Sequence, residues 1–503
     1  MSAGTEIELK FDLAPEARSR FASAAPLADA SPHRTRMRSL YFDTPEGALA
    51  RREMALRLRR EGRRWVQTLK AGHGGTGGLH EREEWEHSRP GPTLDLTLLS
   101  ETPLARMQDA THVRERLAPV FEVNFTRTAW TLAPEPGTRL EVALDAGEVA
   151  SGDRSAPICE VEIECLEGDP GRAYDLAARL MQEVELHPSA VSKAERGYRL
   201  ARGEAPRPVK AAKIALEPSM TPVDAARIIV GAGVAQLQAN EEGLLLSSDP
   251  EFVHQARVAI RRTRSALRMF RREIGVERSE AWHEALGDIG RALGAARDWD
   301  VFGTQTLPGA LEAFGDAALA RSLRAKVAHR RRGEREKARE AMRSPRLSAV
   351  LLELSRWLAH ADGPGANAPA GETLPQFAER VIRRRHKRLL GGALMLASMT
   401  PEERHRVRVD AKRLRYGVDS LASLFRPRPL ATFAASLETI QDTLGDCNDA
   451  ATALALVEEI GAPEAFAAFA RGWFSARARG EPSALEPVVA DIARHRRSWL
   501  RRA

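Results

Sequence analysis

Charged side chains occupy every second position in several short segments within the first 200 residues of this 503-residue chain. Residues two apart lie on one face of a β-strand, so each segment predicts a strand with a charged face and an apolar face. The charged positions are Glu6, Glu8 and Lys10, then Arg57 and Arg59, then Arg82, Glu84 and Glu86, and finally Glu160, Glu162 and Glu164. One such strand alone is typical of a sheet with a solvated outer face. Several together indicate a shared charged surface.

The residue types on these faces match the needs of phosphoryl transfer. Neighbouring carboxylates such as Glu6 and Glu8 repel each other unless a cation lies between them, and hard oxygen ligands favour Mg²⁺ or Mn²⁺. Basic side chains bind the oxygens of a polyanion, and those on these segments are Arg57, Arg59, Lys70 and Arg82. Carboxylates for a metal ion and basic groups for phosphates indicate a site where positioning and charge neutralisation supply most of the catalysis.

The elements that must position these groups fall into two regions, so the predicted fold is multidomain α+β. Residues 1–202 consist of short alternating segments with turns, which predict an antiparallel sheet or barrel, interrupted by helical stretches near 14–24 and 171–185. Residues 203–213, with two prolines and no periodicity, are predicted to form a linker. Residues 214–503 show helical periodicity almost throughout.

An internal repeat divides the helical region. The pattern H-x-x-R-V-x-x-[RK]-R-x-R starts at His254 and again at His405, and 405 − 254 gives an offset of 151. Leu286 and Asp298 recur as Leu437 and Asp449 at the same offset. A duplicated all-α helical bundle is therefore predicted, with halves of about 214–361 and 372–503 separated by the Gly-, Pro- and Ala-rich loop 361–371.

Each copy of the repeat places basic side chains on one narrow face of a helix. At 100° per residue, the first set lies within about 80° of His254, and the second set repeats the arrangement from His405. Solvated helix faces usually mix both signs of charge, whereas neither stripe contains an acidic residue. The stripes indicate a cationic surface for a long polyanion, bound through phosphate oxygens. The candidate residues, including a third helix, are His254, Arg257, Arg261, Arg264, Arg383, Arg384, His405, Arg408, Lys412 and Arg415.

Inorganic polyphosphate and nucleic acid are both long polyanions. Aromatic residues make up only 5% of the chain, which leaves little for the base stacking that single-strand nucleic-acid binders use. We interpret His254 and His405 as hydrogen-bonding partners of phosphate or as structural residues, because neighbouring arginines would repel a metal cation.

The charge balance differs between the two regions. Residues 1–200 contain 27 basic and 32 acidic residues, a net charge of −5. Because the whole chain has a net charge of +7, residues 201–503 have a net charge of +12. Arginine enrichment can also reflect a GC-rich genome, which accounts for scattered arginines better than for ordered stripes. The three cysteines, at 159, 165 and 447, are too few for a disulfide framework, and no segment reads as a membrane span or signal. A cytoplasmic protein is expected.

Several motifs in residues 1–200 resemble the CYTH domain of the triphosphate tunnel metalloenzymes. Glu6-Ile-Glu-Leu-Lys10 is similar to the family's E-x-E-x-K signature and lies at the start of the chain, as in the family. Further matches follow in the family's order at residues 41–44, 55–59, 68–70, 144–147, 160–164 and 192–198.

The CYTH resemblance implies an eight-stranded antiparallel barrel with a charged tunnel. It implies metal ligands at Glu6, Glu8, Asp145, Glu162 and Glu164, with catalytic roles for Glu6, Glu8 and Lys10. The triphosphate-binding positions that it implies are Lys10, Arg57, Arg59, Lys70, Arg82, Arg127 and Lys193. Glu160, Glu162 and Glu164 share one face, so the spacing leaves open which of them binds metal.

The repeats at His254 and His405, with Leu293–Asp300 and Lys412–Tyr416, resemble the CHAD domain, a helical domain often found beside CYTH. The resemblance implies two helical bundles that bind polyphosphate, as in bacterial CYTH–CHAD inorganic triphosphatases. We therefore expect a metal-dependent triphosphatase that needs Mg²⁺ or Mn²⁺ for activity. Its helical domain is expected to bind polyphosphate or to dock on polyphosphate granules. The alternatives are a non-catalytic polyphosphate-binding protein and a CYTH enzyme of other specificity, namely a class IV adenylate cyclase or a thiamine triphosphatase. The sequence leaves the oligomeric state open.

Overall fold

The computed structural model describes residues 4–72, 76–359, 371–393, 399–477 and 485–494, and at Glu6 it describes the backbone alone. The chain divides into two compact units. The barrel unit comprises Met1–Arg207 and Arg343–Pro364, and the helical unit comprises Pro208–Met342 and Gly365–Ala503.

The secondary structure follows the predicted change from strands to helices. The strands are Gly4–Leu13 (β1), His33–Asp43 (β2), Met54–Glu61 (β3), Arg64–Ala71 (β4), Leu79–Arg89 (β5), Ala118–Leu132 (β6), Arg139–Ser151 (β7), Arg154–Glu167 (β8) and Leu186–Pro188 (β9). The α-helices are Arg18–Ala22 (α1), Ala110–Glu115 (α2), Gly171–Glu183 (α3), Lys193–Arg202 (α4), Pro222–Leu246 (α5), Pro250–Met269 (α6), Arg271–Ile274 (α7), Val276–Val301 (α8), Leu307–Phe314 (α9), Ala317–Met342 (α10), Pro345–Leu358 (α11), Leu374–Ala393 (α12), Pro401–Ser420 (α13), Pro427–Glu459 (α14), Glu464–Arg477 (α15) and Glu486–Arg494 (α16). In the part of the chain that the structure describes, no helix is both long and apolar enough to cross a membrane.

Eight of the strands form a closed antiparallel barrel. Their order is β5-β4-β3-β2-β6-β7-β8-β1, and pairing of β1 with β5 closes the ring. The short strand β9 pairs with the last residues of β1 and is additional to the prediction. This pairing confirms the predicted eight-stranded barrel. Closure removes the exposed edges that an open sheet would have.

The barrel has its apolar faces outside and its charged faces inside. Leu9 and Phe11 of β1 point outward and are almost fully buried against α3 in one hydrophobic cluster. A second cluster covers the outer faces of β3 and β4 through Leu56, Leu58 and Leu69. Burial of these side chains stabilises the fold and leaves the alternate, charged residues facing the interior.

Helix α11 packs in the barrel unit, although the residues on both sides of it in the sequence belong to the helical unit. Leu352 joins the cluster of β1 and α3, and Ser348 Oγ lies 2.8 Å from Nδ1 of His187 on β9. Arg356 donates to Asp175 of α3 over 2.6 Å. Gly77 lies against the same helix with a φ of +66°, and a Cβ there would lie 2.7 Å from Cβ of Ser355.

Helix α4 holds Lys193 inside the barrel. Ser192 caps the helix by accepting a hydrogen bond from the backbone N–H of Glu195, which places Lys193 at the first helical position. Gly197 faces the ring of Phe121, and a Cβ at this position would lie 2.0 Å from Cε2 of that ring. The glycine therefore allows the helix to approach the barrel wall closely.

The helical unit confirms the predicted duplication. Helix α6 runs from Pro250 to Met269, and adding the offset of 151 gives 401 and 420, the bounds of α13. Helix α8 begins at Val276, and the same offset gives 427, where α14 begins. Asp249 and Thr400 are the equivalent N-cap residues and both accept backbone hydrogen bonds through their side chains.

Candidate functional site

The interior of the barrel is a cavity of about 530 Å³ lined mainly by charged side chains. Strand alternation places these residues there, because the inward positions are the even-numbered ones on β1, β4, β5 and β8 and the odd-numbered ones on β3 and β6. The residues proposed from sequence that line it are Glu8, Lys10, Arg57, Arg59, Lys70, Arg82, Arg127, Glu162, Glu164 and Lys193. Glu6 lies on β1, and its side chain is outside the described residues.

Two buried lysines meet the carboxylates of β8. Lys10 lies 3.3 Å from Oε1 of Glu160 and also contacts Glu162 at hydrogen-bond distance. Lys193 donates to Oε1 of Glu162 over 2.9 Å and also contacts Glu160. Its ammonium group lies 5.1 Å from the centre of the Phe125 ring, close enough for a cation–π contact.

Arg127 and Asp145 complete this cluster. The guanidinium group of Arg127 forms two hydrogen bonds to Asp145, at 2.8 and 2.7 Å, and a third to Glu162. Lys193 lies 2.6 Å from Oδ2 of Asp145. The carboxylate oxygens of Asp145, Glu160 and Glu162 come within 4.8 Å of one another, so this trio meets a distance criterion for metal binding.

The charges of this cluster hold each other in the ionised form. Burial alone would lower the pKa of Lys10, but the carboxylates of Glu160, Glu162 and Glu8 outweigh it and keep that pKa well above its usual value. Burial would raise the pKa of Glu162, whereas the ammonium groups of Lys10 and Lys193 hold it well below its usual value. Lys10 and Glu162 therefore remain charged across the physiological pH range.

The carboxylates of β8 share one face of the strand but differ in how deeply they are buried in the barrel wall. Glu160 and Asp145 are fully buried behind the lysines and do not line the cavity. Glu162 and Glu164 do line it. Glu164 is the direct cross-strand partner of Glu8, and both face the tunnel. Two like charges opposite each other on adjacent strands are unfavourable, so this pair fits a cation better than the buried trio does.

The wall formed by β3, β4 and β5 carries the other basic residues. Arg57 and Lys70 lie 3.7 and 3.4 Å from Oε1 of Glu84, and Arg59 lies 3.3 Å from Oε1 of Glu86. Burial, followed by the adjacent Arg57, lowers the pKa of Arg59 despite its acidic neighbours. This wall thus holds guanidinium and ammonium groups that are only partly neutralised.

Several lining residues had no proposed role from the sequence. Glu84 and Glu86 belong to one of the charged faces that the sequence predicts, and the parity of their strands also places Glu61 and Glu141 inside. His80 has inward parity on β5 but lies outside the cavity lining; it is buried, and its Nε2–H donates to the backbone oxygen of Ser189 over 3.0 Å. Burial, followed by the charge of Lys10, lowers the pKa of His80 to about 4. The histidine is therefore neutral, and strand parity is the signal that could have identified it.

The helical unit brings the two predicted stripes together, because α6 packs against α13. The guanidinium group of Arg261 lies 5.2 Å from the centre of the Tyr416 ring on α13. Burial, followed by the charges of Arg408, Arg261 and Arg257, lowers the pKa of Lys412 to about 8. Four basic residues of the two stripes thus raise the positive potential of one shared surface.

The other residues proposed for polyphosphate binding have different surroundings from these four. His254 has a lowered pKa because of burial and the nearby Arg297, and His405 is exposed. Arg264 donates to the backbone oxygen of His283, whereas Arg415 pairs with Glu438 over 2.9 Å. On α12, Arg383 pairs with Glu379, and Arg384 lines a separate cavity rather than the stripe surface.

Comparisons with known proteins agree with this architecture. Residues 4–198 match the family model of the CYTH domain, and residues 228–458 match that of the CHAD domain. The inorganic triphosphatase of Haemophilus influenzae is 33% identical over 163 residues, which make up 32% of this chain and 44% of that protein. The match thus spans less than half of that relative.

Two solved structures resemble parts of the chain. The CHAD domain of the plant Ricinus communis is 28% identical, with a TM-score of 0.48, over 58% of this chain and 97% of that one. A Hippeastrum protein described with a dominant triphosphatase activity is 22% identical, with a TM-score of 0.31, over 40% of this chain and 97% of that one. The two family matches identify the chain as one that carries a CYTH domain followed by a CHAD domain.

Proposed function

We propose that the barrel unit hydrolyses inorganic triphosphate to pyrophosphate and phosphate with a bound divalent cation. The observation that carries this proposal is the charge balance of the tunnel lining, which has seven acidic and seven basic side chains. The acids are Glu8, Glu61, Glu84, Glu86, Glu141, Glu162 and Glu164, and the bases are Lys10, Arg57, Arg59, Lys70, Arg82, Arg127 and Lys193. Because the two signs are equal, the lining does not neutralise a triphosphate by itself, and a cation must accompany the substrate.

The carboxylates that face the tunnel supply the hard oxygen ligands for such a cation. Glu8, Glu162 and Glu164 are the described candidates, and we retain Glu6 from the sequence motif. Asp145, which lies buried behind the lysines, is left out of this set. This donor set fits Mg²⁺ or Mn²⁺. When bound, the cation would neutralise phosphate oxygens and assist deprotonation of the attacking water.

The basic residues of the tunnel hold the substrate and receive the charge that develops during hydrolysis. Water attacks the terminal phosphorus, the bond to the bridging oxygen breaks, and the electron pair stays on the leaving pyrophosphate. Arg57, Arg59 and Lys70 bind the phosphate chain along one wall, with Arg82 beside them. Donors fixed in a partly buried site stabilise such charge more strongly than mobile water does.

Glu160 acts in this proposal as a positioning residue. Its carboxylate is fully buried and shares Oε1 between the ammonium groups of Lys10 and Lys193. A shared acceptor fixes the spacing of two like charges that would otherwise repel each other. Glu160 therefore orients both lysines toward the tunnel while lying too deep to touch the substrate.

Phosphate release from tripolyphosphate tests the enzymatic proposal. The full-length protein should release one phosphate per triphosphate with Mg²⁺ or Mn²⁺ and none with EDTA. A variant with Glu6→Gln and Glu8→Gln should lose this activity and keep its thermal midpoint. Glu148→Gln is a matched control, because Glu148 is an exposed residue of β7 outside the tunnel. Full activity of the double variant would contradict the proposal.

The same assay separates the alternative functions. Hydrolysis of thiamine triphosphate or formation of cyclic AMP in preference to tripolyphosphate hydrolysis would indicate a CYTH enzyme of other specificity. Saturable binding of tripolyphosphate without any phosphate release would indicate a non-catalytic phosphate-binding protein.

We also propose that the helical unit binds long-chain inorganic polyphosphate on the α6–α13 surface. The supporting observation is the mutual approach of Arg257, Arg261, Arg408 and Lys412, whose like charges a polyanion would relieve. Replacing these four residues with alanine should abolish polyphosphate binding in a filter or calorimetric assay. Phosphate release from tripolyphosphate should stay at the level of the unmodified protein. Unchanged polyphosphate binding would refute this surface.

A further inference from the structure

A second cavity of about 570 Å³ lies in the helical unit, where the end of α6, helix α7 and the start of α8 face α12 and α13. Eight arginines line it, against four carboxylates. The lining therefore carries an excess of positive charge, and like charges held close together repel each other unless an anion lies between them. The lining includes Arg268, His283, Arg385, Arg388 and Arg413.

The four carboxylates leave several arginines without an acidic partner. Asp410 accepts from Arg388 over 2.9 Å and from Arg413 over 3.3 Å, so one acid serves two arginines. Arg385 donates to the neutral backbone oxygen of Arg413 over 2.6 Å. No carboxylate among the described residues forms an ion pair with Arg268 or Arg385.

The titration behaviour of the lining agrees with this surplus of positive charge. Burial, followed by the charges of Arg413 and Arg384, lowers the pKa of Arg385 to about 10. Burial, followed by Arg264, Arg268 and Arg413, lowers the pKa of His283 to about 4. An anion in the cavity would reverse both effects.

The cavity is not a copy of the duplicated stripe surface. At the offset of 151, Arg268 corresponds to Asp419, Arg385 to Val234 and Arg388 to Leu237. The first half of the duplication therefore cannot build an equivalent cavity. Arg257, Arg261, Arg408 and Lys412, which form the proposed polyphosphate surface, do not line it.

We propose that this cavity binds a compact small molecule that carries several phosphate groups. Guanidinium groups bind phosphate through two parallel hydrogen bonds, and arginines arriving from α6, α12 and α13 can contact different phosphates of one ligand. The volume matches a site for a single small molecule, whereas a long chain needs an extended surface. The site is additional to the tunnel and to the α6–α13 surface.

Calorimetric titration of the full-length protein with myo-inositol hexakisphosphate tests this site. The probe should bind with one-to-one stoichiometry, and Arg268→Gln with Arg388→Gln should weaken it about tenfold or more, because two arginine–phosphate contacts are lost. Both side chains are exposed enough for the fold to tolerate the change. Arg321→Gln with Arg324→Gln on α10 removes the same charge from an exposed helix face and should leave probe binding unchanged.

The alanine variant of Arg257, Arg261, Arg408 and Lys412 distinguishes this site from the polyphosphate surface. It should retain probe binding while losing polyphosphate. The proposal is overturned if the probe fails to saturate the unmodified protein, or if the Arg268 and Arg388 variant binds it as tightly as the α10 control. Loss of probe binding in the stripe variant would also overturn it, because the cavity would then belong to the chain-binding surface.

Discussion

The tunnel of the barrel unit and the stripe surface of the helical unit both present rows of basic side chains, yet they differ in what lies beside those charges. In the tunnel, acids lie beside bases, and Lys10, Lys193 and Arg127 all contact Glu162. On the stripe surface, Arg257 and Arg261 lie near Arg408 and Lys412, and these four bases outnumber Asp449, which lies 3.9 Å from Arg408. The tunnel is therefore preorganised for one small substrate with a cation, whereas the stripes attract any long polyanion in a salt-dependent way.

The largest expected effect comes from breaking the compensated cluster. Lys193→Met would leave Asp145, Glu160 and Glu162 buried with one cation fewer. Removal of one partner from a buried charge cluster costs about 3 to 5 kcal/mol of stability. We expect a lower free energy of unfolding in denaturant titration and no measurable phosphate release. Lys193→Arg, which keeps the charge, should recover most of the stability, and equal loss in both variants would show that charge compensation is not the cause.

The next effect tests whether Glu160 positions lysines or binds metal. Glu160→Gln should lower kcat for tripolyphosphate about tenfold or more, because Lys10 and Lys193 lose their shared acceptor. The Mg²⁺ concentration for half-maximal activity should stay unchanged. Glu162→Gln is the comparison variant, and there the required Mg²⁺ concentration should rise. A similar rise for Glu160→Gln would make Glu160 a metal ligand and contradict the assigned role.

A smaller effect should appear in the salt dependence of polyphosphate binding. Removal of two phosphate contacts by Arg261→Ala and Lys412→Ala should reduce the slope of log K against log salt concentration by about 1.4, at about 0.7 per contact on a single chain. Affinities measured at several KCl concentrations provide the slope. The control with Arg321→Ala and Arg324→Ala should keep the original value. Equal slopes in both variants would mean that the chain binds elsewhere.

The smallest effect is a pH dependence of the same binding. The pKa of Lys412 is lowered to about 8 by burial and by Arg408, so this side chain loses its charge as the pH rises through that value. Polyphosphate prefers the charged form, and its affinity should therefore fall a few-fold between about pH 7 and pH 9. Lys412→Arg should remove this pH dependence, because arginine remains charged throughout. A pH dependence that persists in Lys412→Arg would assign the titration to another group.

Strand parity and the internal repeat predicted much of this molecule. Alternation placed Arg57 and Arg59 on one charged face, and the offset of 151 identified two equivalent helical halves. That the charged face points inward followed from the CYTH resemblance and not from alternation alone. Parity could not rank Glu160, Glu162 and Glu164, because all three point the same way. Their depth depends on the stagger between β1 and β8, where Glu8 pairs with Glu164 and Lys10 with Glu162.

Other features could not be predicted from the sequence, because helical periodicity identifies the apolar face of a helix but not the element that this face packs against. The apolar face of α11 is like that of any amphipathic helix, yet Leu352 completes the cluster of the barrel unit. The arginine-lined cavity likewise combines residues from α6 and α13 that are more than a hundred positions apart. Only the packing of the two halves brings them together.

The placement of α11 means that the chain passes between the two units three times, after Arg207, after Met342 and after Pro364. Cleavage by a protease within 203–213 would therefore not release the barrel as a separate fragment. The two pieces would remain joined through the hydrogen bonds of Ser348 and Arg356 and the buried side chain of Leu352. Exchange of either domain at the linker alone would remove from the barrel a helix that covers its apolar surface. In evolutionary terms, this interleaving favours inheritance of the two domains as one gene product.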